Sequence, residues 1–188
     1  ASALAAGFLA AGAALAEEPP MLADAVAAGK LPALADRLPR APRVVDIKRP
    51  DWTLGRYGGE MRMLMGKDRD IRMLVVYGYS RLVGYDENLK LVPDILERID
   101  NEGSRVFTLH LRPGHKWSDG QPFTAADFRF YWDDVVNNKD ISPFGLPQML
   151  LVRSRGPRFE VLNETTIRYT WDEPNPQFLP ALAGPSPL

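Results

Sequence analysis

Two histidines, His110 and His115, are the only imidazoles in the chain, and there is no cysteine. Their spacing would suit a metal ion only if a third ligand arrived from elsewhere, and thiolate ligands are excluded. His110 falls on the polar side of an alternating segment and His115 in a Pro-Gly turn, so surface histidines are the plainer reading. Asp133 and Asp134, next to Trp132, are the nearest approach to the paired carboxylates of glycoside hydrolysis. Adjacent residues on a helix point to different sides, however, and no motif places a second carboxylate opposite them. Asp119 resembles an acid in a cleft, but its position before Gly120 explains it as a turn residue. No G-x-S-x-G, P-loop or H-E-x-x-H pattern is present. Arg37, Arg40 and Arg43 lie along a proline-punctuated segment and could form an anion site; a solvated arm wrapping the first part of the fold accounts for them more simply. Trp117, Trp132 and Trp171 are of the type that lines sugar and peptide pockets. Trp132 and Trp171 fall on faces expected to be buried, and Trp117 is less constrained.

The elements that would position these residues follow from periodicity. Met21–Ala28 reads as a short helix stopped by Gly29 and Pro32. Gly59–Gly66 reads as a first core strand, with Met61, Met63 and Met65 alternating. The charged loop Gly66–Asp70 follows, and Asp70 is expected to cap a helix through Ile71, Leu74, Val75 and Tyr77 to about Arg81. A loop of this kind, feeding a helix, is where open α/β sheets bind ligands, but it also suits an ordinary polar connection, and the residues leave both open. Leu82–Tyr85 and Leu89–Val92 read as two extended pieces joined by a turn at Asp86–Asn88. Pro93 is expected to open a short helix over Asp94–Arg98. Arg105–Arg112 is a strand with Phe107, Leu109 and Leu111 on one face. Ser118–Gln121 is a tight turn needing Gly120, and Thr124 caps the next helix with Asp127 completing a capping box. Phe128, Tyr131, Trp132 and Val135 mark the buried side of that helix, which ends at Asn137-Asn138. Strands Arg158–Leu162 and Thr165–Trp171 follow, joined at Asn163-Glu164, and Gln177–Ala183 begins an apolar helix.

Composition narrows the class. The 188 residues carry a net charge of −1 with no basic stripe, which argues against nucleic acid as a partner. Seventeen prolines imply many turns and extended connections. Residues 1–16 hold no charge and end in Ala14-Leu15-Ala16, the pattern of an export signal cleaved after Ala16. That run is shorter than the roughly 20 residues of a comfortable membrane span. The chain is therefore expected to be periplasmic, to begin inside its signal peptide, and to stop with its last element barely begun.

The stretch HLRPGHKWSDGQPFTAADF, residues 110–128, closely resembles the signature of the large extracytoplasmic solute-binding proteins of ABC importers, the peptide/nickel group called family 5. Leu82-Val83, Tyr85-Asp86 and Leu91–Asp94 before it, and Asn163–Trp171 with Pro174–Leu179 after it, are similar to the family's pattern. The resemblance implies an α/β class II periplasmic binding protein of the group with an extra subdomain, present as part of lobe I plus that small α/β subdomain. The implied division is a partial signal peptide at 1–16, a Pro-rich lead-in arm at 17–43, lobe I at 44–81, the extra subdomain at 82–173 and a return to lobe I at 174–188. Within it, Trp117, Asp119, Gly120, Thr124 and Asp127 form a structural signature. Two regions are candidates to face a ligand: Lys67, Asp68, Arg69 and Asp70, and Ser142, Pro143 and Phe144.

The function implied is that of a monomeric substrate-binding subunit, which captures a solute of peptide or sugar class and delivers it to a membrane permease. It implies no catalytic residue, no metal and no cofactor. A receptor or sensor using the same fold without transport is the alternative, and a periplasmic hydrolase a more distant one. Residues 17–188 alone are expected to bind no solute tightly, because the opposing lobe would be absent.

Overall fold

The computed structural model describes residues 17–45, 53, 55–72, 74 and 78–184. Residues 1–16, where an export signal is expected, lie outside the described residues. The chain divides into two compact units, one comprising Ala1–Arg37 and Val44–Glu60, the other Leu38–Arg43 and Met61–Leu188.

In the first unit a single 3-10 turn, Pro20–Leu22, runs into helix α1, Ala23–Ala27. Gly29 ends it with a left-handed φ of 67°, its amide bonding the carbonyl of Val26. A second short helix, α2, spans Leu34–Arg37, where only an arm had been expected. Arg37 secures this turn twice, through the Pro32 carbonyl at 2.9 Å and through an ion pair with Glu18.

The second unit is built on antiparallel strands. β1 (Val83–Tyr85) and β2 (Leu91–Pro93) form a hairpin whose turn is organised by Asp86. The Asp86 carboxylate accepts the amides of Asn88 and Lys90, and these bonds, led by the one from Lys90, hold its pKa below the ordinary aspartate value. β3 (Leu96–Glu102), β4 (Val106–Leu111), β5 (Arg158–Asn163) and β6 (Thr166–Thr170) form a sheet in the order β3-β4-β6-β5. Period-two alternation sends Phe107, Leu109 and Leu111 of β4 and Ile167 and Tyr169 of β6 into one core. Helix α3 (Ala125–Phe130) continues with π-type winding over Tyr131–Val136, and α4 spans Phe178–Leu182. The expected stripe Phe128, Tyr131, Trp132 and Val135 is half-buried, while Ala125 and Val136 are fully covered. An aromatic cluster fills the centre. Phe107 meets Trp171 edge-on at 5.8 Å and Phe178 at 5.0 Å, and Tyr169 stacks on Trp171 at 6.0 Å. Burial among these rings pushes the Tyr169 phenol well above its usual pKa.

Three expectations need correction. Asp94–Arg98 is not a helix. Leu96, fully buried, pairs with Leu111, and after a bulge Arg98 pairs with His110, so this segment supplies the edge strand that β4 needs on that side. Gly59–Gly66 is not a strand. Met61, Leu64 and Met65 lie exposed, because an extended segment becomes a strand only with a ladder partner and none pairs with it among the described residues. Asp70 does not open the helix that follows it. It sits inside a 3-10 turn, Asp68–Arg72, and its carboxylate reaches back to the Lys67 amide at 2.9 Å. Of the expected helix to Arg81, Leu74 and Gly78 are helical, while Met73 and residues 75–77 lie outside the described residues.

Candidate functional site

The signature residues come together as one construction. Lys116 bridges Pro122, and the Trp117 amide bonds the Gln121 carbonyl at 2.8 Å. Gly120 holds φ at 88°, which a residue with a Cβ rarely adopts, and the Asp119 carboxylate accepts the Gln121 amide at 2.9 Å. Thr124 accepts the amide of Ala126 at 3.2 Å, and Asp127 answers by accepting the Thr124 amide at 2.7 Å. The second oxygen of Asp127 accepts the Trp117 indole N–H at 3.1 Å, and the half-exposed indole stands edge-on to Phe123. One carboxylate thus fastens the turn to the start of α3. Every polar atom invoked here bonds within the turn or the cap, so the group acts in folding rather than in chemistry.

The two histidines differ from one another. Between β3, β4 and β6, the His110 ring lies 2.8 Å from an Asp100 oxygen, 2.9 Å from the Arg98 guanidinium and 3.4 Å from the Thr166 hydroxyl. Asp, His and Thr in this order resemble a nucleophile with its base, but Thr166 is buried and its contact is long, so no substrate carbonyl reaches it. The network is a cross-strand ion cluster. It keeps Asp100 below the usual aspartate pKa, first through Arg98 and then through His110. His115 sits in the Arg112–Lys116 turn with its Nε2 buried. Asp133 and Asp134 both face solvent. Trp171 is 2% exposed and Trp132 stacks on Phe159 at 5.2 Å, so both are core side chains. Among the described residues, no group of three or more His, Asp and Glu could hold a metal ion.

The two candidate ligand-facing regions have different characters. Lys67, Asp68 and Arg69 are exposed on the 3-10 turn that Asp70 closes. Ser142-Pro143-Phe144-Gly145 is a β-turn in which the Gly145 amide bonds the Ser142 carbonyl at 2.9 Å. Its other side is fixed by the Ser142 amide on the Asn138 carbonyl at 2.7 Å, and Pro143 presets the turn. The outcome is a Phe144 side chain that is 98% exposed on a hydrogen-bonded turn, beside exposed Ile141. Among the described residues, no hydrogen bond, ion pair or ring contact joins the two regions.

A cleft of about 230 Å³ was not foreseen. It is lined by Val152, Arg153, Arg155, Gly156, Trp171, Asp172 and Glu173. Its rim is a two-residue turn in which Val152 and Arg155 exchange both backbone hydrogen bonds at 2.9 Å. Arg153 and Ser154 both take positive φ, 47° and 65°, a pattern that favours Asn-Gly. The sequence signal for such a turn is therefore missing here. Arg153 pairs with Glu173 at 3.1 Å and Arg155 with Asp172 at 3.5 Å, all four well exposed. Exposed pairs of this kind contribute about 0–1 kcal/mol, whereas a left-handed non-glycine residue costs about 1–2 kcal/mol. The double substitution R153N/S154G is therefore expected to raise stability by about 1 kcal/mol net. The check is a urea unfolding curve whose midpoint rises at unchanged slope.

Comparison with known proteins places this architecture. The family model for bacterial extracellular solute-binding proteins, family 5 Middle, matches residues 90–188. A periplasmic alpha-galactoside-binding protein of Rhizobium meliloti (strain 1021) is 32% identical over 173 residues, 81% of this chain and 24% of that protein. The periplasmic oligopeptide-binding protein OppA of Escherichia coli (strain K12) is 32% identical over 108 residues, 50% of this chain and 20% of its own length. The solved structure of an oligopeptide-binding protein OppA superposes with a TM-score of 0.72 and 34% identity, covering 88% of this chain and 25% of that one. The periplasmic binding protein MelB of Agrobacterium fabrum C58, in complex with stachyose, gives 0.68 and 26%, covering 93% and 29%. The chain thus spans about a quarter of the length of these relatives. The matched region holds β3 to β6, α3 and α4 with their shared aromatic core, and on that match, which takes in more than half of the residues, the chain belongs to the bacterial extracellular solute-binding proteins of family 5.

Proposed function

We propose that this chain is part of the periplasmic substrate-binding subunit of an ABC importer, which captures a peptide or an oligosaccharide and hands it to a membrane permease. The observation that carries the reading is membership of the solute-binding family, with relatives named for alpha-galactosides and oligopeptides. The described side chains support binding over catalysis: Asp119, Asp127 and His110 serve a turn, a cap and an ion cluster. Residues 44–81 and 174–188 are assigned to lobe I and 82–173 to the extra subdomain. Support for the first lies in Met61, Met63 and Met65, an apolar alternating set left exposed that a lobe sheet would cover. The export signal cleaved after Ala16 and a monomeric state complete the proposal.

Lys67–Asp70 and Ser142–Phe144 are the proposed ligand-facing segments. Phe144 is the better supported, because a bare aromatic ring held in solvent by a proline turn loses little entropy when a sugar or a side chain stacks on it. Phe144→Ala in the full-length protein is expected to weaken solute binding about two- to tenfold, with unfolding unchanged. Calorimetry against alpha-galactosides and oligopeptides tests this, and equal affinities for a bound solute would remove Phe144 from the site. A turnover assay on the same panel separates binding from hydrolysis, and a receptor role predicts binding without transport in cells.

A further inference from the structure

Residues Pro39–Arg43 lie as a strap over the Arg112–His115 turn. The Arg40 amide bonds the Pro113 carbonyl at 3.2 Å, Arg112 donates to the Ala41 carbonyl at 3.3 Å, and Arg43 pairs with Asp94 at 3.2 Å. Gly114, at φ 88°, leaves no spare room. A Cβ there would stand 3.2 Å from the Arg40 amide nitrogen. Arg112 is the centre of the arrangement, because its Nε also holds the Asp94 carbonyl at 3.0 Å. Within the same turn the His115 Nε2 is buried and, among the described residues, has no hydrogen-bond partner.

We propose that His115 is a pH-sensitive latch for this strap: neutral, it lets Arg112 hold residues 39–43 in place, and protonated, it displaces Arg112 and releases them. A proton added at this buried nitrogen would meet no acceptor, which disfavours the charged ring. The charged groups that act on it are Arg112 on its own turn and Asp94 ahead of β3, and Asp94 is itself paired with Arg43 of the strap. Arg81 stands behind Asp94, whose carboxylate accepts its amide at 3.1 Å. Arg112 outweighs Asp94, whose carboxylate Arg43 also engages, so an imidazolium meets net repulsion. Burial, and then Arg112, hold the His115 pKa below its ordinary 6.5, and Asp94 only partly opposes them. The docked state therefore binds fewer protons than the released one. Docking is at full strength above 6.5 and weakens as pH falls below it.

The test is hydrogen exchange at the Arg40 amide in the full-length protein, at about pH 7.5 and about pH 5.5, both above the ordinary carboxylate range. After correction for intrinsic exchange, protection is expected to fall several-fold at the lower pH in the wild type and to stay constant in His115→Gln. Constant protection in the wild type, or a parallel fall in the variant, overturns the latch. His115→Asn serves if the glutamine variant fails to fold. An NMR titration of the His115 ring adds an independent check, since its midpoint must coincide with the loss of Arg40 protection and a separate midpoint also overturns the proposal.

Discussion

Trp171→Ala is expected to lower the stability of the second unit by about 4–5 kcal/mol, the upper part of the range for truncating a buried large aromatic. Two losses combine. The indole packs against Phe107, Tyr169 and Phe178, with the Phe178 centroid 4.9 Å away, so its removal opens a cavity in the middle of the aromatic core. Its Nε1–H also donates to the Leu150 carbonyl at 2.8 Å in a buried setting, and that acceptor would be left alone. An orphaned buried group costs about 1–3 kcal/mol. Trp171→Phe separates the two, since it keeps most of the packing and removes the donor; its loss is expected to be about 2 kcal/mol. Domains of this size are stable by about 5–15 kcal/mol, so the alanine variant should sit close to its unfolding transition. Denaturant unfolding followed by circular dichroism reads both values. An alanine variant within about 1 kcal/mol of wild type would show that Trp171 is not the centre of this core.

The second large effect is expected at Asn175, where one atom changes and packing does not. Asn175 is buried between Pro174 and Pro176, and its Nδ2 donates to the Met149 carbonyl at 3.0 Å. Its backbone amide bonds the Ser104 carbonyl at 2.6 Å, so the residue pins the chain leaving β6 to the β3–β4 turn and to the Gln148–Leu150 turn. Asn175→Asp replaces that donor with a carboxylate oxygen facing a carbonyl oxygen. The expected loss at neutral pH is about 3–5 kcal/mol, the cost of a buried charge without a partner. The sign with pH is definite. Burial raises the pKa of the introduced carboxyl above its unfolded value of about 3.9, so the variant is least affected below that value and loses stability as pH rises through the folded one. In its protonated form the introduced carboxyl can donate to the Met149 carbonyl, which is why acid should rescue the variant. Unfolding curves at about pH 4 and about pH 7 give the comparison, and a pH-independent loss would contradict the buried-acceptor account.

These residues show which parts of the molecule local sequence reaches. Thr124 and Asp127 are three positions apart, and Asp119 and Gly120 are adjacent, so the forces acting on them come from atoms within one turn of chain. Their cap and turn were legible for that reason, as were the β1–β2 and β5–β6 hairpins, whose partners are neighbours along the chain. Asp94–Arg98 misled because Pro93 and Asp94 imitate a helix start, while the segment's actual conformation is decided by pairing with β4. Gly59–Gly66 misled in the opposite direction, since alternation describes which face a strand would bury but does not supply the neighbour that makes it a strand.

The candidate site was legible in outline only. Ser142-Pro143-Phe144 could be picked out through the family resemblance, but the near-complete exposure of Phe144 on a closed turn is a property of the folded chain. The Val152–Arg155 turn was not visible at all, because Arg153 and Ser154 hold a conformation their residue types do not favour. The three arginines of the lead-in were expected to be a solvated arm. The structure instead puts Arg37 with Glu18, Arg43 with Asp94 and the Arg40 backbone on Pro113, links between positions far apart in the chain. By itself, then, the sequence determined the family, and it determined the Thr124 cap, the Asp119-Gly120 turn and the two-residue periodicity of β4 and β6, which depend on contacts within a few residues. Only the tertiary structure decided the strand order, the hub at Asp94 and Arg112, the buried Nε2 of His115 and the exposed ring of Phe144. Each of those depends on which distant segment arrives alongside, and a linear pattern carries no information about arrival.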